Sequence, residues 1–232
     1  IVKDVHITND DYTEELLGML TSFSEVDGIY LIPYHKRTSK RIKDINYLYK
    51  LMVFIDILKS NRLEVHLGYI DIEGFLLSIA NIDSVSIGSY ENARSFNSTR
   101  YNEREKGKKM NGPTPRIYSS KLLQWIDHRY LDSIMTEYPQ GNKLFDETRY
   151  KVLMFEPEYK WHFTKPELYK HYFISYSGQL KSLPNSFEKR YFFILDCLKK
   201  ASEYFEEIKN EGILFDSDSD GSHIPYWGTA IN

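Results

Sequence analysis

Short apolar runs alternate with amphipathic segments along residues 1–95 of the chain. Strands are predicted at residues 2–7, 29–32, 63–69 and 83–88, which are rich in apolar and β-branched side chains. Residues 14–23 and 44–58 carry apolar side chains at spacings of three and four, which is the spacing of one helix face. Because parallel strands are joined by such crossover helices, the pattern predicts consecutive βα units and an α/β fold.

The pattern changes after residue 95. Residues 96–118 are polar and basic, and they separate the βα units from residues 119–232, which are predicted to be mainly helical and rich in aromatic side chains. Within this C-terminal region, helices are predicted at residues 119–135 and 187–210, and Gly212 is the expected end of the second helix. In the N-terminal part, residues 29–32 form an unbroken apolar run before Pro33, which is typical of a parallel strand buried on both faces.

The composition limits the classes of protein. The chain has 232 residues, of which 41% are hydrophobic, so it can bury a core, and its net charge of −3 gives no overall sign of polyanion binding. Its single cysteine, Cys197, excludes a disulfide framework and a cysteine-rich zinc site, and it fits a reducing compartment. No apolar run reaches the roughly 20 residues that a membrane span needs. We therefore expect a cytoplasmic protein with no membrane partner, no metal and no cofactor.

The loops after the predicted strands form the candidate site, because ligands of parallel α/β folds bind at the carboxyl ends of the strands. The segments concerned are residues 33–36, 68–71 and 88–94. Asp71 fits a helix N-cap better than a catalytic carboxylate, whereas Glu91 lies in a loop and is open to an acid–base role. His35 and His66 are further acid–base candidates, although a histidine without a visible partner is more often structural.

A cationic stretch follows these loops. Residues 94–116 contain seven basic and two acidic side chains, and therefore carry five net positive charges. Phe96 and Tyr101 lie among them, a combination that suits phosphate contacts together with bases stacked on aromatic rings. An ordinary solvated surface loop explains the same composition equally well, so both interpretations stay open.

Three stretches of the chain share one likeness. Val26-Asp27-Gly28-Ile29-Tyr30 is similar to a strand opening written FDGYAIGG, and residues 67–94, which end in Asn92-Ala93-Arg94, follow the pattern of a conserved strand–helix–strand segment. Residues 168–208 are similar to a pair of closing helices. Together they resemble the second half of a tRNA-guanine transglycosylase, a base-exchange family built on a TIM barrel.

This resemblance implies a (βα) TIM-barrel-like fold of which only the C-terminal part is present, followed by helices that pack on it. Because a complete barrel needs about 250 residues, it also implies a second subunit or a missing N-terminal half that completes the barrel. The first residue, Ile1, is not an initiator Met, which favours a longer polypeptide.

The resemblance further implies binding of tRNA or DNA and exchange of a purine for a modified 7-deazapurine. The family's nucleophilic Asp, in the motif MFDCV, corresponds to Ser86, and Asp83 corresponds to an earlier structural Asp. The expected site residues are the catalytic candidates Ser86 and Glu91, the substrate-binding Gly68, Tyr69, Gly88, Tyr90 and Asn92, and the nucleic-acid-binding Arg94, Arg100, Lys108 and Lys109.

Two alternatives stay open. A hydroxyl at Ser86 does not replace a nucleophilic carboxylate without an activating base, and the family's zinc cluster of three cysteines and a histidine is absent from the sequence. Both facts favour a non-catalytic subunit or scaffold with a degenerate barrel. The weaker alternative is an unrelated TIM-barrel enzyme that acts on a small metabolite through His35, His66 and Glu91.

Overall fold

The computed structural model describes residues 1–36, 39–98 and 112–232 of the chain. Its residues pack into two compact units. The first, here called the sheet unit, comprises Ile1–Asn97, Pro184–Leu195 and His223–Asn232. The second, the hairpin unit, comprises Ser98–Leu183 and Asp196–Ser222. The division differs from the predicted one, since two C-terminal segments pack with the N-terminal βα region.

All strand pairs of the sheet unit are parallel. The strands are β1 (Val2–Lys3), β2 (Gly28–Leu31), β3 (Pro33–Tyr34), β4 (Glu64–Leu67) and β5 (Ser84–Val85). β2, β4 and β5 form one sheet in that order, and β1 pairs with β3, which Ile32 alone separates from β2. Neighbouring strands therefore follow the order of the chain, as expected for consecutive βα units.

Helices connect these strands. The sheet unit contains α1 (Asp4–Thr8), α2 (Asp10–Thr21), α3 (Ile45–Ser60), α4 (Glu73–Leu77), the 3₁₀ helices Ser78–Ala80 and Glu91–Ala93, and α9 (Ile224–Ile231). Side chains cap two of them: Asn9 accepts the Tyr12 N–H at the start of α2, and Asp44 accepts the Tyr47 N–H at the start of α3. The strand predicted at residues 2–7 is shorter than expected, because the chain enters α1 directly after Lys3.

One face of the sheet is covered by helices. Val65 and Leu67 of β4 are fully buried on this face, together with the apolar side of α3. Trp227 of α9 is also fully buried, and its indole Nε1 donates to the Ile42 carbonyl at 2.9 Å. Side chains of α4 complete the core. Because one side of α3 is buried in this core, the apolar residues of α3 recur at helical spacing.

The opposite face of the sheet is open and polar. Tyr30 of β2 is 54% exposed, and Glu64, His66 and Ser84 lie beside it on β4 and β5 with exposed or half-exposed side chains. The prediction that residues 29–32 are buried on both faces was therefore wrong. Alternate strand residues point to opposite faces, and within the described part of the chain only the face that carries Leu31, Val65 and Leu67 meets helices.

The hairpin unit is built around an antiparallel pair, β6 (Arg116–Ser119) and β7 (Gln124–Asp127). The helix predicted at residues 119–135 was wrong, because this stretch first forms the hairpin and only then α5 (Leu131–Glu137). This stretch contains too few apolar residues for their spacing to distinguish a helix from a strand. Strand-favouring side chains pair across the hairpin, with Tyr118 opposite Trp125 and Ile117 opposite Ile126.

Helices surround this hairpin. They are the 3₁₀ helices His128–Tyr130 and Gly141–Leu144, then α6 (Arg149–Met154), α7 (Pro166–Lys181) and the second half of α8 (Phe187–Asn210). α8 has the predicted bounds, and Gly212 follows it with φ +85°, as a glycine beyond a helix end should. Tyr118, Trp125, Tyr172 and Tyr176 form a buried aromatic cluster at the centre of the unit.

The chain is therefore mixed α/β, as predicted. In residues 1–36, 39–98 and 112–232, the strands do not close into a barrel, so the structure supports only the coarser part of the predicted fold class. Within the same residues, no helix has the length and apolar character required to cross a bilayer.

Candidate functional site

Three aromatic rings meet beyond the carboxyl ends of the parallel strands. Tyr34 ends β3, Tyr69 follows β4, and Phe96 lies in the segment that follows β5. The Phe96 ring stands edge-on to both others, at centroid distances of 5.9 Å from Tyr34 and 5.7 Å from Tyr69. All three side chains are partly exposed. We call this group the aromatic rim.

The backbone around Tyr69 explains how its ring reaches the rim. Gly68 extends the sheet by one hydrogen bond, from its N–H to the Leu31 carbonyl at 2.8 Å. A Cβ on Gly68 would lie 2.4 Å from the Tyr30 hydroxyl, so any larger residue here would require the exposed Tyr30 ring to move. Tyr69 then adopts φ +53°, a left-handed conformation that costs a non-glycine residue of order 1–3 kcal/mol. Such strain is characteristic of functional sites, and here it turns the chain directly after β4.

A buried ion pair joins the loops that follow β3 and β4. Arg41 Nη1 lies 2.6 Å from Asp71 Oδ2, and both side chains are almost fully buried. Asp71 was expected as a helix N-cap, but Ile72 holds that position before α4, and the Asp71 carboxylate pairs with Arg41 instead. Glu73 Oε1 accepts the Ile42 N–H at 3.2 Å and adds a second link between the same loops.

The predicted loop residues 88–94 form a compact turn. A Cβ on Gly88 would lie 2.4 Å from Ala93 Cβ, so only glycine allows this approach. Arg94 is buried, and it donates from Nε to the Gly88 carbonyl and from Nη2 to the Ser89 carbonyl, both at 2.9 Å. The structure thus places Arg94 as a support of its own loop, whereas the sequence suggested a phosphate contact.

Other predicted residues of this turn face outward. Tyr90 is 48% exposed, Asn92 is exposed, and Glu91 forms an ion pair with Lys40 from the loop after β3. The remaining predicted nucleic-acid contacts, Arg100, Lys108 and Lys109, lie outside the residues that the structure describes. The same holds for Tyr101 of the cationic stretch.

The open face of the sheet carries a hydrogen-bonded row that gives His66, an acid–base candidate from the sequence, two partners that the sequence did not indicate. His66 Nδ1 lies 2.8 Å from Ser84 Oγ, and His66 Nε2 lies 3.2 Å from Glu64 Oε2. The sequence signal was the alternation Glu64-Val65-His66-Leu67, which places the two polar side chains on one face. Ser86, the predicted catalytic candidate, is exposed two residues after the serine that His66 contacts.

Asp83 anchors the start of β5. Its Oδ2 accepts the Val65 N–H and the Lys59 ammonium, each at 2.6 Å. Burial acts to raise the pKa of Asp83, but the hydrogen bonds from Lys59 and Val65 outweigh it and hold this pKa below its ordinary value. These contacts give Asp83 a structural role, because they tie the start of β5 to β4 and to Lys59 of α3.

His35 lies at the end of β3, near two carboxylates. Its Nε2 is 3.6 Å from Asp44 Oδ2, and its ring packs against Tyr47 at a centroid distance of 4.6 Å. Asp4 is also near His35, and its carboxylate accepts the Lys36 N–H at 3.0 Å. Burial tends to raise the pKa of Asp4, and the hydrogen bonds it accepts from Lys36 and Val5 lower it by more. His35 therefore has two acidic groups nearby, one of which caps a helix.

Among the described residues, no group of three or more His, Cys, Asp and Glu side chains is arranged to hold a metal ion. Comparison of the chain with models of known protein families, with curated proteins and with solved structures found no match in any of the three. The resemblance to the transglycosylases stays a prediction from the sequence motifs.

Proposed function

We propose that the sheet unit binds a purine base of tRNA or DNA at the aromatic rim, as part of a transglycosylase-like barrel. The observation that carries the proposal is the meeting of Tyr34, Tyr69 and Phe96 from three successive strand-end loops. Base–aromatic stacking is worth about 1–3 kcal/mol per base, so a partly exposed aromatic group at this position suits an unstacked base. The parallel strands in chain order support the barrel part of the proposal.

Polar groups beside the rim suit the edge of a base. Glu91 brings a carboxylate that accepts hydrogen bonds, and Asn92 brings both donors and acceptors on an exposed side chain. Lys40, from the loop after β3, pairs with Glu91 and holds this carboxylate in place. Tyr90 adds an exposed ring to the same turn. Together these groups offer recognition of a purine edge next to a stacking surface.

The cationic stretch supplies the proposed phosphate contacts. Phe96 of the aromatic rim belongs to this stretch, and Arg100, Lys108 and Lys109 are its proposed contact residues. Flipping a base out of its stack costs a few kcal/mol of free energy. In the proposal, contacts between the basic side chains and the phosphates offset this cost. Arg94 is left out of this group because its donors already hold the loop carbonyls.

A specific observation favours a binding role without base exchange as the second candidate. Ser86 occupies the slot of the family's nucleophilic carboxylate, while the histidine on the open face contacts Ser84. A hydroxyl without an activating base is a weak nucleophile for the C1′ carbon. A non-catalytic subunit that binds nucleic acid through the same rim therefore explains the site as well as a base-exchange enzyme does.

The rim is tested by replacing one of its rings. We expect Phe96→Ala to weaken binding of a fluorescently labelled tRNA or single-stranded DNA by about 5- to 150-fold, the equivalent of 1–3 kcal/mol of lost stacking. Fluorescence anisotropy titrations measure this change. The matched control is Tyr49→Ala, which removes an exposed ring from α3 and should leave binding unchanged.

Equal affinity of the Phe96 and Tyr49 variants would contradict the proposed base site.

The cationic stretch is tested by replacing Lys108 and Lys109 together by Ala. In the same titrations, the slope of log affinity against log salt concentration should become less steep by the amount expected for about two lost phosphate contacts. Incorporation of labelled guanine into tRNA or DNA by the intact protein separates base exchange from binding alone.

A further inference from the structure

We infer that Ser84 is an activated nucleophile towards small acyl esters, with His66 as its general base and Glu64 as the group that orients His66. The three side chains form one hydrogen-bonded row, Ser84–His66–Glu64, on the open face of the sheet. Neither Ser84 nor His66 belongs to the aromatic rim, but the inference requires that the open face stays accessible, whereas a completed barrel would enclose this face.

The two contacts select one tautomer of the neutral imidazole. A carboxylate only accepts, so in this tautomer Nε2–H donates to Glu64 Oε2. Nδ1 then accepts the Ser84 Oγ–H at 2.8 Å. A serine passes its proton in this way to an imidazole that a carboxylate orients, here with the two ring nitrogens in the opposite roles to those of the Ser-His-Asp triad.

The sheet backbone, rather than flexible side chains, brings the three groups together. His66 lies opposite Ser84 in the parallel register of β4 and β5, and Glu64 precedes His66 by two residues on the same face. On the other side, Gly28 lies opposite Glu64, and a Cβ there would come within 2.8 Å of Glu64 Cβ. The glycine therefore leaves the space that Glu64 needs.

The open face gives a substrate access to the serine. Ser84 is exposed, and Tyr30, opposite His66 on β2, offers a partly exposed ring against which an acyl or aryl group packs. In the reaction, Ser84 Oγ bonds to the ester carbonyl carbon while its proton moves to His66 Nδ1. The ester C–O bond then breaks, and the alcohol leaves with that proton. Water next cleaves the acyl-serine, which yields the carboxylic acid and restores Ser84.

A fluorophosphonate probe tests the serine directly. Attack by Ser84 forms an Oγ–P bond and releases fluoride, and peptide mass spectrometry locates the adduct. We expect labelling of Ser84 at least about 100-fold faster than labelling of Ser86, since a positioned general base contributes about 10²–10⁴ in rate. Ser86 is an internal control, because it is also exposed and follows β5 only two residues after Ser84.

Variants of the row separate activation from simple exposure. His66→Ala should reduce the Ser84 labelling rate to that of Ser86, and hydrolysis of p-nitrophenyl acetate should fall in parallel. Glu64→Gln keeps an acceptor for Nε2–H but removes the charge, so it should lower the rate several-fold and shift its pH profile. The groups that face the imidazole and shape this profile are Glu64, Asp83 and Tyr30.

Two results would overturn the inference: no Ser84 adduct above the level of Ser86, or a Ser84 adduct that His66→Ala leaves unchanged. Ser84→Ala should leave nucleic-acid binding intact, and Phe96→Ala should leave labelling intact. Failure of the esterase-like chemistry is therefore distinguishable from failure of the proposed base site.

Discussion

His66 of the sheet unit and His171 of the hairpin unit differ in burial and in the partners of their imidazole rings. His66 lies on the open face of the sheet unit, half exposed, and contacts an exposed serine and an exposed glutamate. His171 of the hairpin unit is fully buried, accepts the Thr148 hydroxyl at Nδ1 and donates from Nε2 to the Tyr118 carbonyl. Thr148 in turn caps α6 by accepting the Lys151 N–H.

The difference separates groups available for chemistry from groups that hold the fold. In the hairpin unit, His171 and Thr148 are paired inside the protein, so their removal leaves buried groups without partners. In the sheet unit, the side chains of the hydrogen-bonded row and of the aromatic rim are exposed or partly exposed. They add little to the buried core and remain accessible to other molecules. Glu73 and Arg94 of the sheet unit are also buried, and the clearest exception is the ion pair Arg41–Asp71, whose side chains are almost fully buried.

Asp71→Asn tests that exception and should have the largest effect. The substitution removes the charge that compensates Arg41, and breaking a buried ion pair in this way typically costs 3–5 kcal/mol. We expect a loss of about 3 kcal/mol in the free energy of unfolding, measured by urea denaturation followed by circular dichroism. Asp11→Asn, which changes an exposed carboxylate on α2, is the control and should stay within about 0.5 kcal/mol of the parent. A small effect of Asp71→Asn would mean that the pair adds little to the fold.

The two histidines provide a matched test of the comparison itself. We expect His171→Ala to cost about 2–4 kcal/mol of unfolding free energy, because it leaves a cavity and unpaired Tyr118 and Thr148 groups. His66→Ala removes an exposed side chain and should cost no more than about 0.5 kcal/mol. Urea denaturation of both variants gives the two values under identical conditions. Similar costs at the two positions would break the distinction between the units.

The pH dependence of stability should show the smallest effect. Burial lowers the pKa of His171 below its ordinary value, although its hydrogen bond to Tyr118 opposes this. The unfolded chain then binds a proton below about pH 6.5 while the folded chain does not, so stability is lost as the pH falls through 6.5. We expect a loss of about 1 kcal/mol between pH 7 and 5.5, and a smaller loss in His171→Gln. Equal losses in both proteins would assign the effect to other groups.

Several elements could be predicted from the chain alone. The helices α3 and α8 were predicted close to their observed bounds, because their apolar residues recur over four or more turns. The parallel βα character of residues 1–95 was also predicted, since short apolar runs alternate there with helical segments. The hairpin at residues 116–127 was not, because a few apolar residues fit a helix and a strand equally well.

The candidate site was likewise predicted from the sequence only in part. The sequence marked the loops after the strands and named Tyr69, Glu91 and Phe96, but it did not indicate that the rings of Tyr34, Tyr69 and Phe96 meet. It also assigned Asp71 to a helix cap, whereas tertiary packing pairs it with Arg41 thirty residues earlier. Contacts between distant loops leave no local spacing that could reveal them.

By itself, the sequence determined the alternation of strands and helices in residues 1–95 and the alternation of polar and apolar residues along β4. Both follow from local periodicity, which each segment carries in its own residues. Only the tertiary structure decided which sheet face stays open, which serine lies opposite His66, and which rings form the rim. These depend on strand register and on helices packing against one face alone, and neither is encoded in the spacing of any single segment.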